Sequence, residues 1–262
     1  MIASPHNEKL KLVRKLRERR GRERERAFVT EGEDLLAAGL AAGAEPRLVL
    51  CAAGSGLGGE EVEPELLAEV SSLGSGTRAI AVWPQRWSER VDAPCLYLHG
   101  IGDPGNVGAI VRIAHALLGG TVALGPECAD PHSPKAVRAS MGSVFGQPLI
   151  RTGVKETPRP RAALVAHGGE GPAALDSSAT LCFGAEREGL PREVLAECEL
   201  AVTIPLLGGG AESLNVAATA AIACERVARA AARSDSPPGS EARTGDSKRI
   251  SSLAMPEAEP DA

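Results

Sequence analysis

From residue 95 onward, short apolar runs alternate with helix-length segments, and this alternation restricts the fold more than any other feature of the chain. LYLHG, TVALG and the stretches at 162–166, 179–183 and 200–204 read as strands. Helices fit 107–118 and about 214–233, the last one long and Ala-rich. In SPKAVRASMGSVF, Ser133 reads as a cap with Pro134 at the first helical position. A chain that keeps alternating this way builds a largely parallel sheet covered by helices. The front of the chain alternates on a smaller scale. Leu10, Val13 and Leu16 sit at helical spacing within 8–20. AFVTEG, RLVLCA and TRAIAVWP read as strands, EDLLAAGLAAGA as a helix, and GEEVEPELLAEVSSL as a loop plus a helix. The layout expected is a small α/β domain over 1–92 with Asp92-Ala-Pro as linker, an α/β domain with a parallel sheet over 93–233, and a disordered tail over 234–262, rich in Ser, Pro, Gly and charge.

Aromatic residues make up only 2% of the 262 positions, so Leu, Val, Ile and Ala must fill the core. No run of 18 apolar residues exists to span a membrane. MIASPHNEKLKLVRKL has no apolar stretch of the secretory kind, and the chain reads as cytoplasmic. The six cysteines lie far apart, form no CxxC pair and have no His at finger spacing; they read as buried free thiols, with no zinc or other metal expected. The net charge of −5 argues against a nucleic-acid partner, but it averages over a gradient. Lys9 to Arg26 hold ten basic and three acidic side chains, while the tail leans acidic. Such a run either grips phosphate or is a solvated helix face.

One Gly-rich segment is a decoy. Gly54-Ser-Gly56-Leu-Gly-Gly59 has the GxGxxG spacing and follows a strand. A dinucleotide site also needs an acidic residue about 20 positions on, and AIAVWP ends without one. The run also stops in Glu60-Glu61, which repels a pyrophosphate. A nucleotide-dependent oxidoreductase is disfavoured on these grounds.

Three segments of the second half carry the chemistry. They are Gly102-Asp-Pro-Gly-Asn106-Val-Gly108-Ala-Ile-Val-Arg112, then Phe183-Gly184-Ala-Glu186-Arg-Glu-Gly189-Leu190, then Ile204-Pro205-Leu206 with Glu212-Ser213-Leu214-Asn215-Val216-Ala217. Asn occurs only three times in the chain, and two of the three, Asn106 and Asn215, fall in these segments. Together with Ser133-Pro-Lys135-Ala-Val-Arg138-Ala-Ser140-Met-Gly142, the three segments resemble, in order, the motifs of the SpoU (TrmH-like) RNA 2′-O-ribose methyltransferases of the SPOUT superfamily. The likeness covers roughly 95–230. Asn7, the basic helix and Val29-Thr-Glu31-Gly32 resemble that family's L30e-like substrate-binding domain.

The resemblance implies a trefoil-knot α/β domain, S-adenosylmethionine as cofactor without a metal, an RNA substrate (rRNA ahead of tRNA) and a homodimer through the C-terminal domain. It implies catalytic roles for Asn106, Arg112, Glu186, Ser213 and Asn215, and a cofactor site at Gly184, Ile204, Leu206, Ser213, Leu214 and Asn215. Positioning should supply much of the rate, because a ribose hydroxyl is a poor nucleophile. The family proposes that Arg112 activates that hydroxyl. A guanidinium is hard to deprotonate, so a bidentate phosphate clamp suits it better.

Asn106 is expected to tie its loop together or touch the ribose, with a helix cap as its bland alternative; Ser213 taken alone reads as a cap, and Ser213 and Asn215, where the last helix begins, are expected to bind cofactor or nucleotide while still capping. Glu186 is expected to accept backbone N–H bonds within its loop or to meet a partner subunit. Gly184 is expected to give the close backbone approach an adenine needs, and Ile204 and Leu206 to sandwich its ring; ordinary core packing is their bland alternative. Two departures from the family pattern stand out. TGVKETPRPR at 152–161 is short and Pro-rich where relatives carry a helix, and Ala217 stands where many have Ser. A catalytically inactive RNA-binding protein of the same fold is the rival reading, and the joint retention of all five catalytic candidates opposes it.

Overall fold

Leu10, Val13 and Leu16 are all buried, and they seat the first helix, α1 (Glu8–Leu16), on the front sheet. Asn7 caps it by accepting the Lys9 N–H at 2.9 Å. The basic run then breaks at Arg17–Glu18 and restarts as a second helix, α2 (Arg19–Glu25). The computed structural model describes residues 1–73, 76–208, 210 and 212–234; the tail expected to be disordered lies, after Ser234, outside the described residues.

The front unit continues with β1 (Ala27–Glu31), α3 (Glu33–Ala41), β2 (Leu48–Ala52), β3 (Glu60–Val62), α4 (Pro64–Val70) and β4 (Ala79–Pro84). Its sheet order is β1-β4-β2-β3, antiparallel except for the parallel β2–β3 pair. The short strand β3 lies in a stretch read from sequence as loop. Val62 is fully buried and bridges Ile2, which recruits a segment with no strand periodicity of its own. The Gly54–Gly59 segment thus runs into a strand, and the helix that a dinucleotide motif needs is missing there.

The second unit is built from β5 (Cys95–Leu98), α5 (Pro104–Leu117), β6 (Thr121–Leu124), α6 (Pro134–Ser140), β7 (Leu149–Arg151), β8 (Arg161–Leu164), β9 (Thr180–Phe183), α7 (Arg192–Leu195), β10 (Leu200–Val202) and α8 (Val216–Ser234). Every strand pair in its six-stranded sheet is parallel, in the order β10-β8-β9-β5-β6-β7. Ser133 caps α6 with Pro134 behind it, as its sequence reads. The 152–161 stretch holds one 3-10 turn, Val154–Glu156, in place of a helix. The buried Arg161 guanidinium pins that turn by donating to the carbonyls of Lys155 (2.7 Å) and Thr157 (2.6 Å). Among the described residues no helix is long and apolar enough to cross a membrane.

The two units share one apolar core. Phe28 and Trp83 from the front sheet and Leu36 from α3 belong to the same buried cluster as Val137, Val144 and Leu149. Phe145 meets Trp83 edge-on at 4.7 Å between ring centroids. Beside this seam, Arg22 Nε donates to Asp130 Oδ2 at 2.7 Å, and both side chains are about 5% exposed or less. His132 is buried next to them. Burial pushes its pKa down to about 4, against the raising pull of Asp130.

Candidate active site

In a parallel sheet every strand ends on the same edge, so the loops that leave it gather there. The first motif leaves β5, the second leaves β9 beside it, and the third leaves β10 and leads into α8. Sequence-distant segments therefore meet without a long-range device of their own.

Three side chains join them. Asn215 Oδ1 accepts the backbone N–H of Ala217 at 2.9 Å and of Ala218 at 3.4 Å, which caps α8. That contact fixes the amide's orientation, because only the oxygen can face N–H donors. Asn215 Nδ2 then donates to Asn106 Oδ1 at 3.1 Å, and Asn106 Nδ2 donates to Glu186 Oε1 at 2.6 Å. The helix N-terminus orders the relay from one end and the carboxylate orders it from the other. Every donor faces an acceptor.

Asn106 ties the motif segments together, and three local readings change. Asn106 is not the cap of α5. Asp103 is, accepting the Asn106 N–H at 3.0 Å with Pro104 at the first helical position, and the helix starts at Pro104 rather than 107. Ser213 does not cap the last helix either, since α8 begins at Val216 and Asn215 supplies the cap. Glu186 accepts a side-chain amide across the loops instead of backbone N–H groups within its own loop. Asp103 was missed although Asp-Pro carries the same signature as Ser133-Pro134. It also takes Lys135 Nζ at 2.5 Å, a contact that ties the first motif to α6. This hydrogen bond and that of Asn106 N–H hold its carboxyl below the ordinary range.

Next to the relay lies a cavity of about 640 Å³. Its lining includes Gly184, Ile204, Leu206, Ser213 and Leu214, five of the six residues expected to hold cofactor; Asn215 stands outside it, in the relay. The close approach at Gly184 is internal. A Cβ there would sit 2.2 Å from Gly189 C, so the glycine lets the second-motif loop fold back on itself, where Ala185 and Gly189 exchange N–H···O bonds. Among the described residues the N–H groups of Ile204, Leu206 and Leu207 make no hydrogen bond. They leave donors beside apolar side chains, the combination a flat heteroaromatic ring needs. The volume lies within the usual ligand range of roughly 300–1,000 Å³. Glu186, Glu188 and Glu212 add negative charge suited to a cationic ligand.

Arg112 stands apart. It is exposed on α5, on the helix stripe of Gly108 and His115, and it does not line the cavity. Its guanidinium has no hydrogen-bond or ion-pair partner among the described residues, so its charge is free for a phosphate. The basic run is less available than its composition suggests. Lys9, Lys11, Arg14, Lys15, Arg19 and Arg22 pair with Glu60, Glu8, Glu69, Glu25, Glu23 and Asp130. Arg20, Arg24 and Arg26 stay exposed without such a pair. The five buried cysteines and the half-buried Cys198 are all free thiols.

Comparison with known proteins places this geometry in context. The SpoU rRNA methylase family profile matches residues 93–225, and an MRM3-like substrate binding domain matches residues 7–82. The chain is 34% identical over 139 residues to the 23S rRNA (guanosine(2553)-2′-O)-methyltransferase of Bacillus subtilis, covering 48% of this chain and 54% of that one. It is 30% identical over 183 residues to the 23S rRNA (uridine(2479)-2′-O)-methyltransferase of Streptomyces viridochromogenes, covering 64% and 61%. The chain spans about half the length of the curated mycobacterial tRNA/rRNA methyltransferases it matches at 36% identity. Among solved structures, an AdoMet-bound rRNA methyltransferase from Sinorhizobium meliloti superposes with a TM-score of 0.76 at 25% identity, over 87% of this chain and 97% of that one.

Proposed function

The chain belongs to the SpoU rRNA methylase family, and from that premise we propose that it is an S-adenosylmethionine-dependent methyltransferase acting on a ribose 2′-hydroxyl of RNA. The observation that carries this reading is the Asn215–Asn106–Glu186 relay closing three motif loops beside a cavity of cofactor size. The substrate is ribosomal RNA, in keeping with the 23S rRNA relatives.

When bound in the cavity, S-adenosylmethionine supplies an electrophilic methyl group. Ile204 and Leu206 would hold the adenine edge through their backbone N–H groups and, with Leu214, would enclose the ring. Ser213, exposed in the lining, offers a hydroxyl to the cofactor or the nucleotide. The relay fixes Glu186 so that its second oxygen, which has no partner among the described residues, accepts a hydrogen bond from the ribose hydroxyl and takes its proton as the oxygen is methylated. Arg112 clamps a phosphate of the same strand and keeps its own proton. Rate enhancement then comes mainly from holding the nucleophile in line.

The division of labour follows the expected domains. Residues 1–92 grip RNA, with Arg20, Arg24 and Arg26 as the phosphate ligands left free in the basic run. Residues 93–233 do the chemistry, with the knotted threading of the family. The assembly is a C₂ homodimer through α5 and α8, whose Leu117 and Ile222 are 38% and 41% exposed. Mass mapping of 2′-O-methyl groups in total RNA, with and without the gene, tests the activity. Loss of one such group on deletion is expected. An unchanged map overturns the reading and favours an inactive RNA-binding protein.

A further inference from the structure

A second cleft, of about 590 Å³, opens where the two units meet. Glu23 reaches it from α2 and Arg26 from the residue that ends that helix, Gln85, Trp87 and Ser88 from the segment after β4, and Arg151 from the end of β7. Both acids on its wall are already neutralised: Glu23 takes Arg19 Nε at 2.8 Å, and Asp130 takes Arg22 Nε at 2.7 Å. Arg26 and Arg151 have no acidic partner among the described residues, so the cleft carries surplus positive charge.

Its floor is one of only six aromatic residues in the chain. Trp87 is half-buried, and its Nε1–H donates to Gln85 Oε1 at 3.4 Å. His132 packs edge-on against it at 5.0 Å. The Arg151 guanidinium lies over the indole, 4.9 Å from its centroid. A flat cation already occupies the place where a flat base would lie.

The cleft also sits in register with the candidate active site. Phe183, Leu98, Leu124 and Arg151 form one row across the parallel sheet. Arg151 is therefore three strand spacings from the second-motif loop, or about 14 Å at ~4.8 Å each. One strand of RNA running along this edge passes both places.

We propose that this cleft is a second nucleotide subsite, in which one unpaired base of the RNA substrate replaces Arg151 over Trp87 and its phosphate takes Arg151 and Arg26. The exchange is favourable because base–indole stacking outweighs an exposed cation–π contact, and the displaced guanidinium gains a charged partner. The inference rests on the reading that the chain acts on RNA.

Fluorescence titration of the full chain with six-nucleotide oligoadenylate and oligouridylate tests it. Trp83 is fully buried, with its Nε1–H on Thr30 Oγ1, so quenching on stacking reports Trp87 alone. Labelled oligonucleotide should bind Trp87→Leu about tenfold more weakly than wild type, and Trp87→Phe within about threefold. Arg26→Ser with Arg151→Ser should lower the salt slope by about 0.7, one single-strand phosphate contact. In methyl transfer, Trp87→Leu should raise KM for RNA and leave kcat unchanged. A wild type that methylates RNA with no quench, and a Trp87→Leu variant with unchanged affinity, would overturn the subsite and leave the activity standing. Quenching without any methyl transfer would do the reverse.

Discussion

Replacing Asn215 by Asp separates two jobs that one side chain performs. The Asp carboxylate still accepts the N–H groups of Ala217 and Ala218, and its charge suits the N-terminus of α8. It has no N–H to give Asn106 Oδ1, now 3.1 Å from the Asn215 amide nitrogen. Two oxygens would face each other, so the Asn106 amide must turn over. Its oxygen then points at Glu186, which loses a hydrogen bond of 2.6 Å. A hydrogen bond to a charged group contributes about 1.5–3 kcal/mol. Misplacing Glu186 by that amount should slow methyl transfer by roughly 10- to 100-fold. Thermal stability should hardly change, because the cap remains. Asn215→Ala should lose both, dropping stability by about 1 kcal/mol as well. S-adenosylmethionine affinity by calorimetry should stay within about threefold in Asn215→Asp, since the residue lies outside the cavity lining. Wild-type turnover in Asn215→Asp would refute the relay, as would a melting temperature as low as that of Asn215→Ala.

Arg112→Ala should abolish turnover on RNA while calorimetry finds cofactor binding nearly intact; retained turnover would reduce Arg112 to a surface residue. Arg22→Met leaves Asp130 charged, buried and unpaired, so thermal unfolding should drop by about 3–5 kcal/mol, far more than Arg20→Met on the exposed side of the same helix. Between about pH 6.5 and pH 4 the unfolded chain binds a proton at His132 that the folded chain refuses, so stability should fall by ~3 kcal/mol as pH drops through that window; urea midpoints independent of pH there would contradict the burial of a neutral imidazole. Gly184→Ala should disorganise the second-motif loop and remove cofactor binding while far-UV circular dichroism stays native, because the new methyl meets backbone at 2.2 Å.

The parallel sheet was readable because apolar strands and helices of ordinary length alternate, and β5, β6, β8 and β9 fall where the runs of LYL, TVAL and their counterparts place them. The strands β3 and β7 are not, because EEV and LIR are short and interrupted by charge, unlike the equally short but apolar LAV of β10, and owe their pairing to neighbours elsewhere in the chain. The motif residues are readable as a set, and Asn106 as a tie between loops, but which residue caps each helix is not. Asp, Asn and Ser are nearly interchangeable at caps, so sequence alone does not decide between Asp103 and Asn106, or between Ser213 and Asn215. Arg22 looked like its exposed neighbours. Its burial depends on Asp130, 108 residues away, which no local pattern reveals.

Transfer of a methyl group to a ribose oxygen is tested most directly by label from S-adenosylmethionine in RNA treated with the purified protein. A 2′-O-methyl blocks alkaline cleavage at its own linkage. After complete alkaline hydrolysis all label should sit in an alkali-resistant dinucleotide, and Arg112→Ala should incorporate none. Label released as a mononucleotide with a methylated base, or RNA that takes up no label with the cofactor bound, would contradict it.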